Sequence, residues 1–279
     1  MNEPFLDDKR KKIALLIDGD NAQPVLIDKI MAEAGKYGLV TIRRIYGDWT
    51  TVNMGGWKHT LHDNAIQPIQ QFRYTVGKNA TDSAMIIDSM DILYNHLVDG
   101  FCIVSSDSDY TRLATRIREM GFFVMGVGKR TTPKAFINAC HLFIYTENLS
   151  PNKSRGSGSG QGASSHGRKK EPRKSEPREP RGEERDDREE KTDAPRKYDP
   201  IPLLKAAFDM AMGEDGWAEL GMIGGYLRQL DPGFDSRTFG FRQLSGLIRS
   251  YTDLFETRYQ ELEGRTDVFV RMKEEKAEV

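Results

Sequence analysis

The stretch Ile13–Asn21, IALLIDGDN, decides how this chain folds: five consecutive apolar residues run straight into an aspartate. A continuous apolar run of this length suits a strand covered on both faces, as in a parallel sheet, whereas a strand with one wet face would alternate. Asp18 closes the strand. A helix is expected to enter near Asn21, with Pro24 in its first turn and Val25, Ile27, Ile30 and Met31 on its buried side.

Working outward, the same alternation of apolar run and amphipathic stretch continues to about residue 147. VTIRRIY (40–46) reads as a second strand. A polar stretch holding Trp49 and Trp57 leads to IQPIQQFRY (66–74), a third strand weakened in its first half by Pro68, which has no N–H to give a ladder. A helix over about 81–97, the strand FCIVS, a helix over about 109–120, the strand FFVMGVG, a short helix from Pro133 and the strand LFIY complete the series. Strands alternating with helices imply βαβ units, hence an α/β fold with a parallel sheet flanked by helices over residues 11–147.

Beyond residue 150 the composition changes. Residues 150–197 are first Gly/Ser-rich and then dense in proline and in both signs of charge, with hardly any apolar side chain to offset the entropy of ordering. That segment is expected to be a disordered, charged linker. Apolar periodicity returns over 198–273: IPLLKAAFDMAM, WAELGMIGGYLRQL and RTFGFRQLSGLIRSY suggest three helices, and LFETRYQ and DVFVRM suggest a hairpin about Glu263-Gly264-Arg265. Three helices and a hairpin form a small winged-helix (α+β) domain. So small a domain needs its aromatics inside, so Trp217, Phe234, Phe239, Phe241 and Phe255 are expected in its core.

Composition narrows the function classes. With 279 residues and a net charge of −1, the chain has room for one large or two modest domains and no global basic field. Cys102 and Cys140 stand in apolar surroundings without CxxC spacing, which argues against a disulfide framework or a zinc site. No apolar run nears the ~18 residues of a membrane span, and the N-terminus lacks the apolar core of a signal peptide, so a cytoplasmic protein is expected. The composition leaves a homo-oligomer open.

The chemistry lies in the acids. Asp18-Gly19-Asp20-Asn21 follows the first strand, Asp82, Asp88 and Asp91 lie in TDSAMIIDSMD, and Asp107-Ser108-Asp109 follows FCIVSS. Asp20, Asn21, Asp82 and Asp109 could each serve as a helix cap or first-turn residue. Two aspartates ending parallel strands have no such need, and in an open parallel sheet the carboxyl ends of the strands form the ligand-binding edge. Carboxylates gathered there raise one another's pKa, and a bound cation makes the gathering stable. Oxygen ligands without His or Cys select Mg²⁺ or Mn²⁺. A cation in such a cradle suits phosphodiester hydrolysis, with Asn21, Lys78, Ser105 and Ser106 as candidate phosphate contacts.

LLIDGDN, KNATDSAMIIDSMD and VSSDSDYTRLATRIREMGFFVMGVG resemble, in order, the motifs of the NYN family, which has a PIN-like ribonuclease fold. The resemblance implies a Mg²⁺/Mn²⁺-dependent endoribonuclease or its RNA-binding descendant, with the metal-holding carboxylates on Asp18, Asp82, Asp107 and Asp109 and the motif asparagine on Asn21. Asp20 is an extra acid in the first motif. GWAELGMIGGYLRQLDPGFDSRTFGFRQLSGLIRS with DVFVRM is similar to the LOTUS (OST-HTH) domain, a winged-helix RNA-binding module. There Arg242 and Arg249, seven apart on the expected third helix, would share a face toward phosphate. The site expectation is that Asp18, Asp107 and Asp109 hold the metal while Asp82 orients water or a second ion. A catalytically silent RNA-binding or adaptor protein is the first alternative. A haloacid-dehalogenase-type phosphatase, suggested by Asp18-Gly19-Asp20, is the second, but Ala22 and Gln23 stand where its motif continues with threonine.

Overall fold

Strand β1 (Lys12–Asp18) pairs in parallel on both sides, with β2 (Leu39–Gly47) and with β4 (Gly100–Val104). β3 (Gln67–Gln70) continues the sheet past β2, and β5 (Phe123–Gly128) and β6 (Leu142–Tyr145) continue it past β4, giving the order β3-β2-β1-β4-β5-β6. The computed structural model describes residues 10–72, 80–149, 199–262 and 265–273. The expected disordered linker at 150–197 and the turn residues Glu263 and Gly264 lie outside them.

The unbroken apolar run of β1 is explained by its two covers. Ile13, Leu15 and Ile17 face α1 (Ile27–Ala34) together with Trp57 and with Leu61 of α2 (Lys58–Asp63). Ala14 and Leu16 face the opposite layer, made by α3 (Ala80–Tyr94), α4 (Thr111–Glu119) and α5 (Lys134–Ala139). A short α6 (Thr146–Leu149) follows β6. Both cysteines are buried and free. No helix among the described residues is long and apolar enough to cross a membrane.

Two expectations in this half are corrected. The helix after β1 begins as a single 3₁₀ turn at Pro24–Leu26, and this rotates Val25 outward to 80 % exposure while Ile27 and Ile30 stay buried. The third strand is four residues long, with Phe72 beyond its end and Arg73 and Tyr74 outside the described residues.

The C-terminal fold contains α7 (Ile201–Ala211), β7 (Ala218–Glu219), α8 (Leu220–Leu230), α9 (Leu244–Ser250) and the antiparallel pair β8 (Phe255–Leu262) and β9 (Arg265–Met272). The sheet order is β7-β9-β8, over a core of Leu204, Phe208, Ile223, Leu227, Ile248, Phe255 and Val270. The second expected helix is shortened at its start, because Ala218 and Glu219 pair with β9 instead. The third is broken: Ser236–Phe239 forms a 3₁₀ turn and Gly240 takes a left-handed φ of 86°, where an L side chain would strain the backbone. Arg242 therefore precedes α9, and it shares no helical face with Arg249, whose Nε donates to the Ser245 carbonyl.

The aromatics also divide differently from expectation. Phe255 is buried, but Trp217 is half-buried, with the Arg258 and Arg271 guanidiniums 4.3 and 4.8 Å from its ring centroid. Phe234, Phe239 and Phe241 are likewise only partly covered. A three-stranded sheet this small has too little layer behind it to bury them all.

The C-terminal fold meets the first along the free edge of β6. The Phe143 N–H donates to the Pro232 carbonyl at 2.7 Å, supplying an acceptor to an edge strand, and Asn148 Nδ2 donates to Thr238 Oγ1 at 3.0 Å. Arg237 bridges Asp235 and Glu33, and Glu33 also accepts from Lys36 at 2.7 Å. Burial by itself would raise the Glu33 carboxyl, but the hydrogen bonds from Lys36 and Arg237 outweigh it and hold the group below its ordinary range. A depressed carboxyl contributes stability above its unfolded pKa and loses it as pH falls through the folded value. Glu33→Gln should accordingly lower stability by about 1–3 kcal/mol at pH 7 and by much less near pH 3, read from urea unfolding at the two pH values.

Candidate metal centre

The order of connections reverses between β1 and β4. From β1 the chain builds outward through β2 to β3, and from β4 it builds the other way through β5 to β6. At such a point the loops leaving two adjacent strands part, and the gap between them opens at the carboxyl edge. Asp18 ends β1, and Ser105, Ser106 and Asp107 leave β4 beside it.

Each acid is held by a named partner. Asp18 is buried, and its carboxylate accepts from Asn21 Nδ2 at 2.6 Å, from Ser105 Oγ at 2.8 Å and from the Asp20 N–H at 3.1 Å. The Ser105 hydroxyl in turn accepts from the Asp107 N–H at 3.1 Å, so one hydroxyl joins the two strand ends. Asp107 caps the 3₁₀ turn Ser108–Tyr110 by accepting from the Asp109 N–H at 2.9 Å. Asp82, in the first turn of α3, accepts from the Tyr110 hydroxyl at 2.7 Å.

One carboxylate oxygen from each of Asp82, Asp107 and Asp109 lies within 4.8 Å of the others. Asp18 is the neighbour of this group through Ser105. Asp82 titrates above its ordinary range, first because it is partly buried and then because the charges of Asp107, Asp109 and Asp20 press on it. Asp18 is raised too, by burial first and by the charge of Asp82. A cation among the three oxygens relieves both repulsions, and the all-oxygen donor set fits a hard divalent ion. Two hydroxyls close by in sequence, Thr81 Oγ1 and Thr111 Oγ1, are buried without a hydrogen-bond partner among the described residues.

The other candidates are placed differently. The Ser106 hydroxyl accepts from the Lys129 N–H at 2.8 Å, tying the β4 loop to the β5 loop, and Ser105 is committed between Asp18 and Asp107. Lys78 lies outside the described residues. Asp20 is exposed, whereas Asp88 accepts from Arg44 and from the Tyr46 hydroxyl at 2.8 and 2.9 Å, fastening α3 to β2. Arg242 and Arg249 belong to the C-terminal fold. Sequence reasoning passed over Tyr110 and the linking role of Ser105; the signal available was an aromatic directly after the last acid of SSDSDY.

Residues 12–149 match the NYN domain family and residues 198–265 match the OST-HTH/LOTUS domain family. The chain thus carries an NYN domain, which is PIN-like, followed by a LOTUS domain. The first suggests a nuclease fold and the second suggests RNA binding. The chain is also similar to the uncharacterized protein MJ0482 of Methanocaldococcus jannaschii, with 26 % identity over 129 residues, 43 % of this chain and 50 % of that protein. It therefore spans about half the length of this curated relative. Two solved structures are similar to parts of it. A protein of unknown function, VPA0982 from Vibrio parahaemolyticus, covers 50 % of this chain and 94 % of its own at 20 % identity and a TM-score of 0.42. An uncharacterized protein from locus NE0665 of Nitrosomonas europaea covers 35 % and 97 % at 31 % identity and a TM-score of 0.27.

Gly19 sets the turn that carries the first acid. A Cβ there would stand 2.7 Å from the Tyr46 carbonyl oxygen and 2.6 Å from the Met54 methyl, and the carbonyl belongs to β2 and cannot step aside. Gly19→Ala should cost about 1–3 kcal/mol by overpacking, checked by denaturant unfolding. Ser105→Ala should cost a similar 1–3 kcal/mol, because it strips a donor from buried Asp18 and the acceptor from the Asp107 N–H.

Proposed function

We propose that this chain is a divalent-metal-dependent endoribonuclease, its NYN domain cutting RNA that its LOTUS domain helps to recruit. The observation carrying this reading is the meeting of Asp82, Asp107 and Asp109 within 4.8 Å at the strand reversal, with no histidine or cysteine among them. These three residues would hold the ion, and Mg²⁺ or Mn²⁺ suits their oxygen donors. When bound, such an ion neutralises phosphate oxygens and lowers the pKa of a coordinated water.

The chain's own residues prepare the place for it. Tyr110 fixes one oxygen of Asp82, leaving the other to face the ion. Asn21 and Ser105 hold Asp18 rigid at the edge of the group, where its charge adds to the field that attracts the cation. The Asp107 cap on the Asp109 N–H fixes the spacing of that pair. The DGD resemblance to a phosphatase loop is set aside, because the second aspartate is exposed and the motif match is to NYN.

A second reading, RNA binding without turnover, draws on a specific observation. Asp18 already accepts three hydrogen bonds, two on Oδ2 and one on Oδ1, so a single lone pair on Oδ1 is left with which it could join the ion as a fourth ligand.

Two measurements test the nuclease reading. Millimolar Mn²⁺ should raise the melting temperature of the wild type by the equivalent of about 2–3 kcal/mol at a hundredfold excess over Kd, and should leave Asp107→Asn nearly unmoved. Cleavage of a labelled single-stranded RNA should need Mg²⁺ or Mn²⁺ and should drop at least a hundredfold in Asp107→Asn. Tight RNA binding with no cleavage in any divalent ion would install the second reading instead.

A further inference from the structure

The amino edge of the sheet, opposite the acids, carries a feature of its own. Tyr37, Phe123 and His141 stand at the amino ends of β2, β5 and β6, so about 20 Å of strand separates them from the carboxyl edge. Their rings form a column: Tyr37 stacks on Phe123 with centroids 5.4 Å apart, and Phe123 stacks on His141 at 5.7 Å. All three line one cavity of about 510 Å³, whose other wall is Gly225, Arg228 and Pro232 of the LOTUS domain. That volume is within the range of small-molecule sites.

The cavity is charged oppositely to the acidic group. Arg118 and Arg228 line it, and no carboxylate does among the described residues. Arg118 gives one N–H to the Asn138 carbonyl at 2.7 Å and keeps the rest of its fork. Arg228 is exposed and has no hydrogen bond or ion pair among the described residues. His141 adds no charge: burial first, and then the nearby Arg118 guanidinium, pushes its pKa down, and its Nδ1 accepts from the Val124 N–H at 3.1 Å. The neutral imidazole offers a ring face.

Gly225 is an independent sign of an occupant. It sits midway along α8, where glycine weakens a helix, yet a Cβ there would meet nothing within 4 Å. Packing does not require the missing side chain, and the space beside it is left open. A second chamber shares Tyr37, Leu142 and Arg228 with the first and is lined also by Arg242. Its Glu33 and Asp235 are already matched by Lys36 and Arg237, so Arg242 brings a further guanidinium without a carboxylate partner among the described residues.

We propose that this cleft binds a nucleoside phosphate, its base laid against the Tyr37–Phe123–His141 column and its phosphate held by Arg118 and Arg228. Stacked rings beside guanidiniums match a flat heterocycle tied to an anion, whereas a purely apolar ligand would leave both arginines unanswered. The same chemistry arrives on a free mononucleotide or on one unit of an RNA strand, whose next phosphate would fall to Arg242. In the second case the cleft rests on the RNA-recruiting part of the proposed function, and it sets the contact at the edge where no acidic group repels phosphate.

The test uses the full chain in EDTA, so that neither metal binding nor cleavage enters. The probes are adenosine and guanosine 5′-monophosphates, followed by calorimetry, and a fluorescein-labelled single-stranded 12-mer RNA, followed by anisotropy. Arg228→Ala removes a solvated side chain, and Gly225→Leu fills the cavity from a helix position that has room for it, so neither should lower the melting temperature. Each should weaken about tenfold the binding of whichever probe the parent holds. Binding of a mononucleotide supports the site with a free nucleotide as a sufficient ligand; binding of the 12-mer alone supports it with a strand as the source. A parent that binds no probe, or variants that bind every probe as the parent does, overturns the proposal. Loss in Arg228→Ala with none in Gly225→Leu overturns it too, by moving the contact outside the cavity. Mn²⁺-dependent cleavage of the same 12-mer, measured separately, decides the nuclease reading whichever of these results is found.

Discussion

The parallel pairing of β1 with β4 is the constraint on which the rest depends. Ile13 through Ile17 register against Gly100 through Val104, and the next residue of each strand reaches the carboxyl edge at the same height. Asp18 and Ser105 thus meet at hydrogen-bond distance without any special loop. The flanking helices then need only supply Asp82 from the first turn of α3 and Asp109 from the turn before α4. Both strands are buried on both faces, so the register is fixed by packing on either side, and a one-residue slip would turn Asp18 into a core layer.

Much of this was legible from residue types. IALLI and FCIV announce doubly covered strands because an unbroken apolar run cannot tolerate water on either face. The acids at their ends could be read as an edge cluster for the same reason: a carboxylate directly after such a run must lie where the cover stops. Less legible was the division of labour within the cluster. Nothing in SSDSDY says that its first serine would be committed to Asp18 and its tyrosine to Asp82, because both partners come from distant segments. Val25 falls off the helical stripe that a count from Asn21 predicts, because the chain makes a tighter 3₁₀ turn first, at three residues per turn. The expected third helix of the LOTUS domain stops short at Gly240, a residue whose left-handed φ no periodicity count reveals.

Asp82 and Asp88 show how one helix separates two uses of the same side chain. Six residues advance about 240° around an α-helix, so the two point in different directions from α3. Asp82 looks toward Tyr110 and the other acids, and its pKa is raised. Asp88 meets Arg44 and Tyr46 of β2, and this partnership pushes the Tyr46 hydroxyl upward, burial being the larger cause. A carboxylate paired with a guanidinium neutralises its own charge. One crowded by other carboxylates leaves a negative field for something else to answer.

The Asp18–Ser105 bond spans 87 residues of chain, and β1–β4 pairing closes a loop of the same order. Such nonlocal closure comes at an entropic cost that no early local contact recovers, and sheets built this way fold slowly. During synthesis the first strand leaves the ribosome long before its central partner exists, with only β2 and β3 to shelter it. The crowding of like charges at the acidic edge is thus tied to a contact that only the closed sheet can make.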